Sequence, residues 1–144
     1  MSAANPAAVD AALVAVLSGD APLAALLPDG VYLDVAPSNK TRFVIVQAQT
    51  HDDVEAFGAT GLFEEFRYRV TARVLETTGV NADAAAARIH ALLHDAPLTG
   101  ITGYTHMETL RVERIKTMDV DAIDNDIRWQ LAGGDYEITV SPDT

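Results

Sequence analysis

Phe63-Glu-Glu-Phe-Arg-Tyr-Arg-Val-Thr-Ala-Arg-Val-Leu75 is the stretch that decides the fold. Phe66, Tyr68, Val70, Ala72 and Val74 share one parity; Glu65, Arg67, Arg69, Thr71 and Arg73 share the other. Side chains alternate across a strand, so period-two patterning of this length predicts a long strand with one buried face. The opposite face carries Arg and Glu. An Ala-rich segment with helical periodicity follows almost at once, so the strand belongs to a sheet covered on one side.

Upstream, Asn5 can cap a helix that Pro6 opens, and Val9, Leu13, Val16 and Leu17 form one apolar stripe. Ser18-Gly19 ends it. Asp20 caps a short helical turn through Leu23 to Leu27, and Pro28-Asp29-Gly30 is a turn signal. Val31 to Val35 is a short strand candidate. Phe43-Val-Ile-Val46, within Arg42 to Gln49, reads as a core strand. From Thr50 to Gly61 the pattern dissolves into polar, acidic and Gly residues, which predicts a mobile loop.

Downstream, Thr77-Thr-Gly79 breaks the long strand. Asn81 can cap a helix with Asp83 in its first turn, Ala85, Ile89, Leu92 and Leu93 as its buried side, and Pro97 beyond its end. Tyr104 to Ile115 and Ile127 to Val140 are further strands, joined by an acidic connection from Met118 to Asp126. Apolar parity switches at Gly133-Gly134, which predicts a bulge or turn there. The expected class is α+β: an antiparallel or mixed sheet of about four to six strands with helices on one face, one domain over 1–144.

Composition narrows function. The chain has 10 Lys and Arg against 21 Asp and Glu, a formal charge of -11. That balance disfavours tight binding to a phosphate backbone, which relies on cationic side chains. With no Cys, disulfides, thiol catalysis and cysteine-ligated zinc are excluded. No apolar run approaches the ~20 residues of a membrane span. The N-terminus lacks a basic region and Asp10 interrupts the apolar segment behind it, so it does not read as a signal peptide. Cytosolic residence is the default.

Candidate chemistry is sparse. His51-Asp52-Asp53, with Glu55 close by, could hold a divalent metal, but the spacing matches no defined metal loop, and a solvated acidic loop is the better reading. His90 and His94 stand one helical turn apart without the Glu of the zincin pattern; histidines facing the negative end of a helix dipole explain them better. Nucleophile-elbow, dinucleotide and phosphate-loop motifs are absent, and Gly100-Ile-Thr-Gly103 is too sparse to cradle phosphate. Glu64, Glu65, Glu108 and Glu113 are better read as cross-strand partners of Arg67, Arg69 or Arg111 than as general acids and bases. An ion-paired sheet face serving as a subunit contact is the reading for Glu65, Arg67, Arg69 and Arg73. No catalytic, cofactor or metal residue is assigned, and the chain is not expected to be an enzyme.

Several strings resemble the tail terminator (tail completion) family of long-tailed bacteriophages and prophages. Asp20-Ala-Pro-Leu-Ala-Ala-Leu-Leu-Pro-Asp-Gly30 followed by Val31-Tyr-Leu-Asp-Val-Ala-Pro37 is similar to the family's short second helix and strand exit. Phe43-Val-Ile-Val46, the Phe63 to Val74 strand, the helix ending His90-Ala-Leu-Leu-His94, Arg111-Val-Glu113 and Trp129-Gln-Leu131 fall in the family's element order.

The resemblance implies a homo-oligomeric ring, commonly a hexamer, in the tail or neck of a virion assembled in the host cytoplasm. Its partners would be further copies of itself, the tail tube protein and a head connector or stopper; genomic DNA would pass through without tight binding, and no membrane is involved. Six copies would sum to about -66, a lumen that repels phosphate. The Thr50 to Gly61 segment, with His51, Asp52, Asp53 and Glu55, is expected at the lumen or tube-facing rim. The alternatives are a head-closure or connector protein of the same particle, and, in another class, a small ligand-binding protein or enzyme using Tyr68, Tyr104, His106 or Trp129 in a pocket.

Overall fold

The structure, a computed structural model, describes residues 5–56, 59–121, 123–124 and 126–143. In chain order it contains α1 (Ala7–Ser18), α2 (Ala21–Leu26), β1 (Val31–Leu33), β2 (Arg42–Ala56), β3 (Ala59–Leu75), α3 (Val80–Leu93), β4 (Tyr104–Val120) and β5 (Arg128–Pro142). The strands form one mixed sheet in the order β1-β2-β3-β5-β4. This is the expected α+β class.

The long strand is β3, and its parity reading holds: Phe66, Tyr68, Val70, Ala72 and Val74 are all buried. With Val44 and Val46 of β2 and Tyr136, Ile138 and Val140 of β5, they form the floor on which the helices pack. α1 contributes Val9, Leu13 and Leu17, α2 contributes Leu23, and α3 contributes Ala82, Ala85, Ile89 and Leu93. The alanines bring α3 close to β5 and β3. Asp20 accepts the Leu23 amide at 3.0 Å, the cap expected of it. Arg88 of α3 reaches the same carboxylate at 2.7 and 2.8 Å, tying α2 to α3 and, as the largest cause, holding the Asp20 carboxyl below its usual range. The Asn5 side chain accepts the Ala7 amide at the start of α1.

β1 runs parallel to β2, with Val31 opposite Val44, which makes the sheet mixed, within the expected class; so short a strand needs only the eight-residue 34–41 connection to return. Four local expectations need correction. Asn81 lies inside α3, whose first flanking residue is Gly79, and its side chain donates to Glu76.

The larger corrections concern strand length. Of the segment expected as a loop from Thr50 to Gly61, residues 50–56 and 59–61 are instead the distal part of the β2–β3 hairpin, which pairs through Val54↔Phe63 to Ala56↔Ala59, and residues 57 and 58 lie outside the described ones. A register shift between Ala48 and Thr50 puts Gln49 out of the ladder and inverts the parity of β2 beyond it. The alternation therefore breaks in the sequence although the strand continues.

β4 likewise runs on to Val120, past the expected end at Ile115. β5 pairs with β3 without interruption across Gly133-Gly134. Its parity switch is real but reflects burial on two faces: Trp129 and Leu131 face away from the helices, while Tyr136, Ile138 and Val140 face them. The bulges lie in the neighbouring edge strand, at Met107 and Val112. Bulges of this kind twist an edge away from further pairing.

Gly133 is there for close approach. A Cβ at this position would lie 2.0 Å from the Val70 carbonyl oxygen and 2.8 Å from Thr71 Cα. Gly133→Ala should therefore destabilise the fold by about 1–3 kcal/mol, the cost of overpacking a rigid backbone contact. Urea unfolding checks this; an unchanged midpoint would contradict it.

Candidate functional site

The sheet face turned away from the helices is built from the odd residues of β3 and β5. Register places Arg69 opposite Asp135 and Arg67 opposite Glu137 on β5, while β4 sets Glu113 beside Asp135. Arg69 donates from Nε and Nη2 to the two Asp135 oxygens at 2.9 and 3.2 Å. Arg67 Nη2 stands 3.8 Å from both Asp135 and Glu113. The Asp135 side chain is only 3% exposed, so its charge is compensated almost entirely by this pair of guanidiniums. Glu113 and Arg67 were expected partners. Asp135 was not; only the β3–β5 register reveals it.

Arg73 sits farther along the same face beside Phe43, Trp129, Leu131 and Asp119, which line a shallow depression of about 220 Å³. It makes no ion pair among the described residues, and its buried Nε has no hydrogen-bond partner. Edge-on contacts link Tyr32, Phe43 and Trp129 beside it. At the other end of the face Asp52 lies directly opposite Glu65, two acids where opposite charges would be favourable. The face thus pairs its charges in its middle, sets Arg73 beside Asp119 at one end and opposes two acids at the other.

The β2–β3 arm rises from the acidic end. β5 accompanies β3 only as far as Glu64↔Val140, so the stretch beyond is a two-stranded hairpin without a third strand. Because of the inverted parity, His51 and Asp53 face the helix side while Asp52 faces the charged side. The His51 ring stacks on Phe66 at 4.0 Å and its Nε2 lies 2.5 Å from Glu64 Oε1. Tyr104 donates to the same Glu64 oxygen at 3.1 Å, and burial pushes the Tyr104 hydroxyl up to about 12. Glu55 belongs to β2, and its side chain lies outside the described ones. The expected site residues are therefore split: His51 and Asp53 on one face of the arm, Asp52 with Glu65 on the other.

The remaining polar candidates have local partners. His94 accepts the Arg111 amide, and its ring stacks on His90 at 4.5 Å at the end of α3. Burial first, then Arg111, lowers the His90 pKa. His106 bonds Thr109 and the Leu98 amide. Tyr68 donates to Asp10 of α1, and burial raises its hydroxyl pKa. Trp129 lies on the opposite side of the sheet from Tyr68 and Tyr104, so the residues proposed for a ligand pocket do not converge.

What the sheet and helices present is a scaffold with a charged surface and a projecting arm: the build of an assembly protein. The chain belongs to the tail completion protein gp17 family, whose model matches residues 11–129, and it is accordingly a phage tail structural protein. A solved chain from a structure described as "Virion of native gene transfer agent (GTA) particle" shares the fold, with a TM-score of 0.69 over 97% of this chain and 99% of that one, at 24% identity. No curated protein matches the sequence.

Asp135→Asn should cost about 2 kcal/mol of stability, since it leaves Arg69 without its charged acceptor. The Arg69→Met/Asp135→Asn cycle should show coupling of about 1 kcal/mol, read from chemical denaturation. Additive single effects would mean the pair is not energetically linked.

Proposed function

We propose that the chain is a tail terminator: a ring, of six copies, that caps the finished tail tube, stops tube polymerisation and offers the surface to which the head connector or stopper joins. Membership of the tail completion family over residues 11–129 carries this reading. The whole of 1–144 acts as one such domain, in the tail or neck of a particle assembled in the host cytoplasm. Its mechanism is surface complementarity, and no catalytic residue is required.

A closed ring needs heterologous contacts, in which one patch of a subunit meets a different patch of the next. The charged face suits this because its ends differ: one carries Arg73, whose guanidinium has no ion-pair partner among the described residues, and the other opposes two carboxylates. Arg73 and the Asp52/Glu65 pair are eight residues or more apart along the sheet, about 26 Å. In the ring, the Asp52/Glu65 end of one subunit lies against the Arg73 end of its neighbour, while Arg67, Arg69 and Asp135 hold the strand between them in shape. The arm, with His51, Asp52, Asp53 and Glu55, points to the lumen or the tube-facing rim. There its carboxylates repel DNA phosphate and let the genome pass without sticking.

Light scattering of the purified chain, alone and with tail tube protein from the same genome, should give a particle of about six subunits, in either case or only on mixing. A monomer or dimer indifferent to tube protein would refute the proposal. Joining the cross-strand partners Asp53 and Glu64 by Asn-Gly, in place of residues 54–63, should leave the fold intact and abolish tail capping; normal tails would remove the arm from the mechanism.

Arg73→Glu should weaken ring formation in a salt-dependent way, and adding Glu65→Arg should restore it. Rings unaffected by Arg73→Glu would place the contact elsewhere.

A further inference from the structure

The base of the arm brings together three side chains of metal-binding type. His51 and Asp53 of β2 and Glu64 of β3 each offer a ligand atom, and these atoms all lie within 4.8 Å of one another. They share a face because Phe66 and Glu64 are the direct cross-strand partners of His51 and Asp53. We propose that His51, Asp53 and Glu64 form a binding site for a borderline divalent cation, Zn²⁺ foremost, that clips β2 to β3 where the arm leaves the sheet.

Charge supplies the second argument. Glu64 is 8% exposed, and the only ion-pair partner of its carboxylate among the described residues is His51, an exposed imidazole. Directly opposite stands a second carboxylate, Asp53, and the adjacent rung opposes Asp52 to Glu65. Two consecutive rungs of facing acids, one on each face of the arm, have no Lys or Arg paired to any of the four among the described residues, so the Asp53 and Glu64 carboxylates face each other without a cationic side chain between them. The field reaches Tyr104, where Glu64 and Asp53 add to burial in raising the hydroxyl pKa. A divalent cation offsets this charge directly.

The donor set selects the ion. One imidazole nitrogen and two carboxylate oxygens suit Zn²⁺ or Mn²⁺, and Zn²⁺ binds such ligands more strongly. Ca²⁺ takes six to eight oxygens and gains nothing from the imidazole. In a tetrahedral zinc site the donor atoms stand roughly 3.2–3.5 Å apart, so small side-chain rotations from the present positions suffice. Zinc enters between His51 Nε2 and Glu64 Oε1 and replaces their hydrogen bond. Phe66 beneath His51 and the Tyr104 hydroxyl on Glu64 hold two of the ligands in place, as outer-shell groups do. A water or a partner's side chain completes the coordination. The site stands independently of the tail-capping reading.

Isothermal titration of the full chain with ZnCl₂ tests it, alongside thermal unfolding with and without zinc. The expected result is one zinc per chain and a raised Tm. His51→Ala and Asp53→Asn, both at exposed positions that leave the fold intact by circular dichroism, should each weaken binding about tenfold or more and abolish the Tm shift. His90→Ala, which disrupts the stacked pair on α3, should leave both unchanged. The proposal is overturned if no stoichiometric zinc binds, if binding survives His51→Ala and Asp53→Asn, or if it is lost in His90→Ala instead.

Discussion

Everything in this molecule hangs on the pairing of β3 with two long antiparallel neighbours. β2 hydrogen-bonds along one of its sides and β5 along the other, and the register is tightest where Gly133 meets Val70 and Thr71. Period-two geometry allows no partial slip: moving β5 by one residue would carry Tyr136, Ile138 and Val140 to the wrong face and drive a side chain into the Gly133 contact. The helices then have only one apolar floor to cover, and the opposite face is left to charge.

That charge is ordered by the same register. Asp135 is buried because Arg69 forks onto it and Arg67 stands close by, with Glu113 completing the group from β4. A buried carboxylate needs such compensation. Since the arginines in the middle of the face have carboxylates close by, its capacity to attract a neighbour lies at the ends, with Arg73 on one side and Asp52 with Glu65 on the other. A surface whose two ends differ in this way favours head-to-tail contacts over self-complementary ones, the kind of contact that the proposed ring requires.

The arm shows how one bulge can change the meaning of a sequence. Gln49 steps out of the ladder, and the residues from Thr50 to Val54 change side. His51 and Asp53 thereby join Glu64, Phe66 and Tyr104 on the helix side, while Asp52 joins the charged face. A run of adjacent polar residues, which reads as loop because neither parity is apolar, becomes two surfaces with different neighbours.

Much of the fold was legible in the residues. The strict alternation from Phe63 to Leu75, the stripe of α1, the Asp20 cap and the Ala-rich α3 are local patterns whose physics is complete within one element. The charged face of β3 was legible for the same reason. Tertiary structure alone decided which charges meet: Asp135 with Arg69, Asp20 with Arg88, and Glu64 with His51 are separated by 66, 68 and 13 residues respectively. It also decided that Thr50 to Gly61 contains strand, since pairing satisfies the backbone there without an apolar face to announce it. Periodicity is a property of one chain segment; register, bulges and close approach are properties of two, and no single segment encodes them.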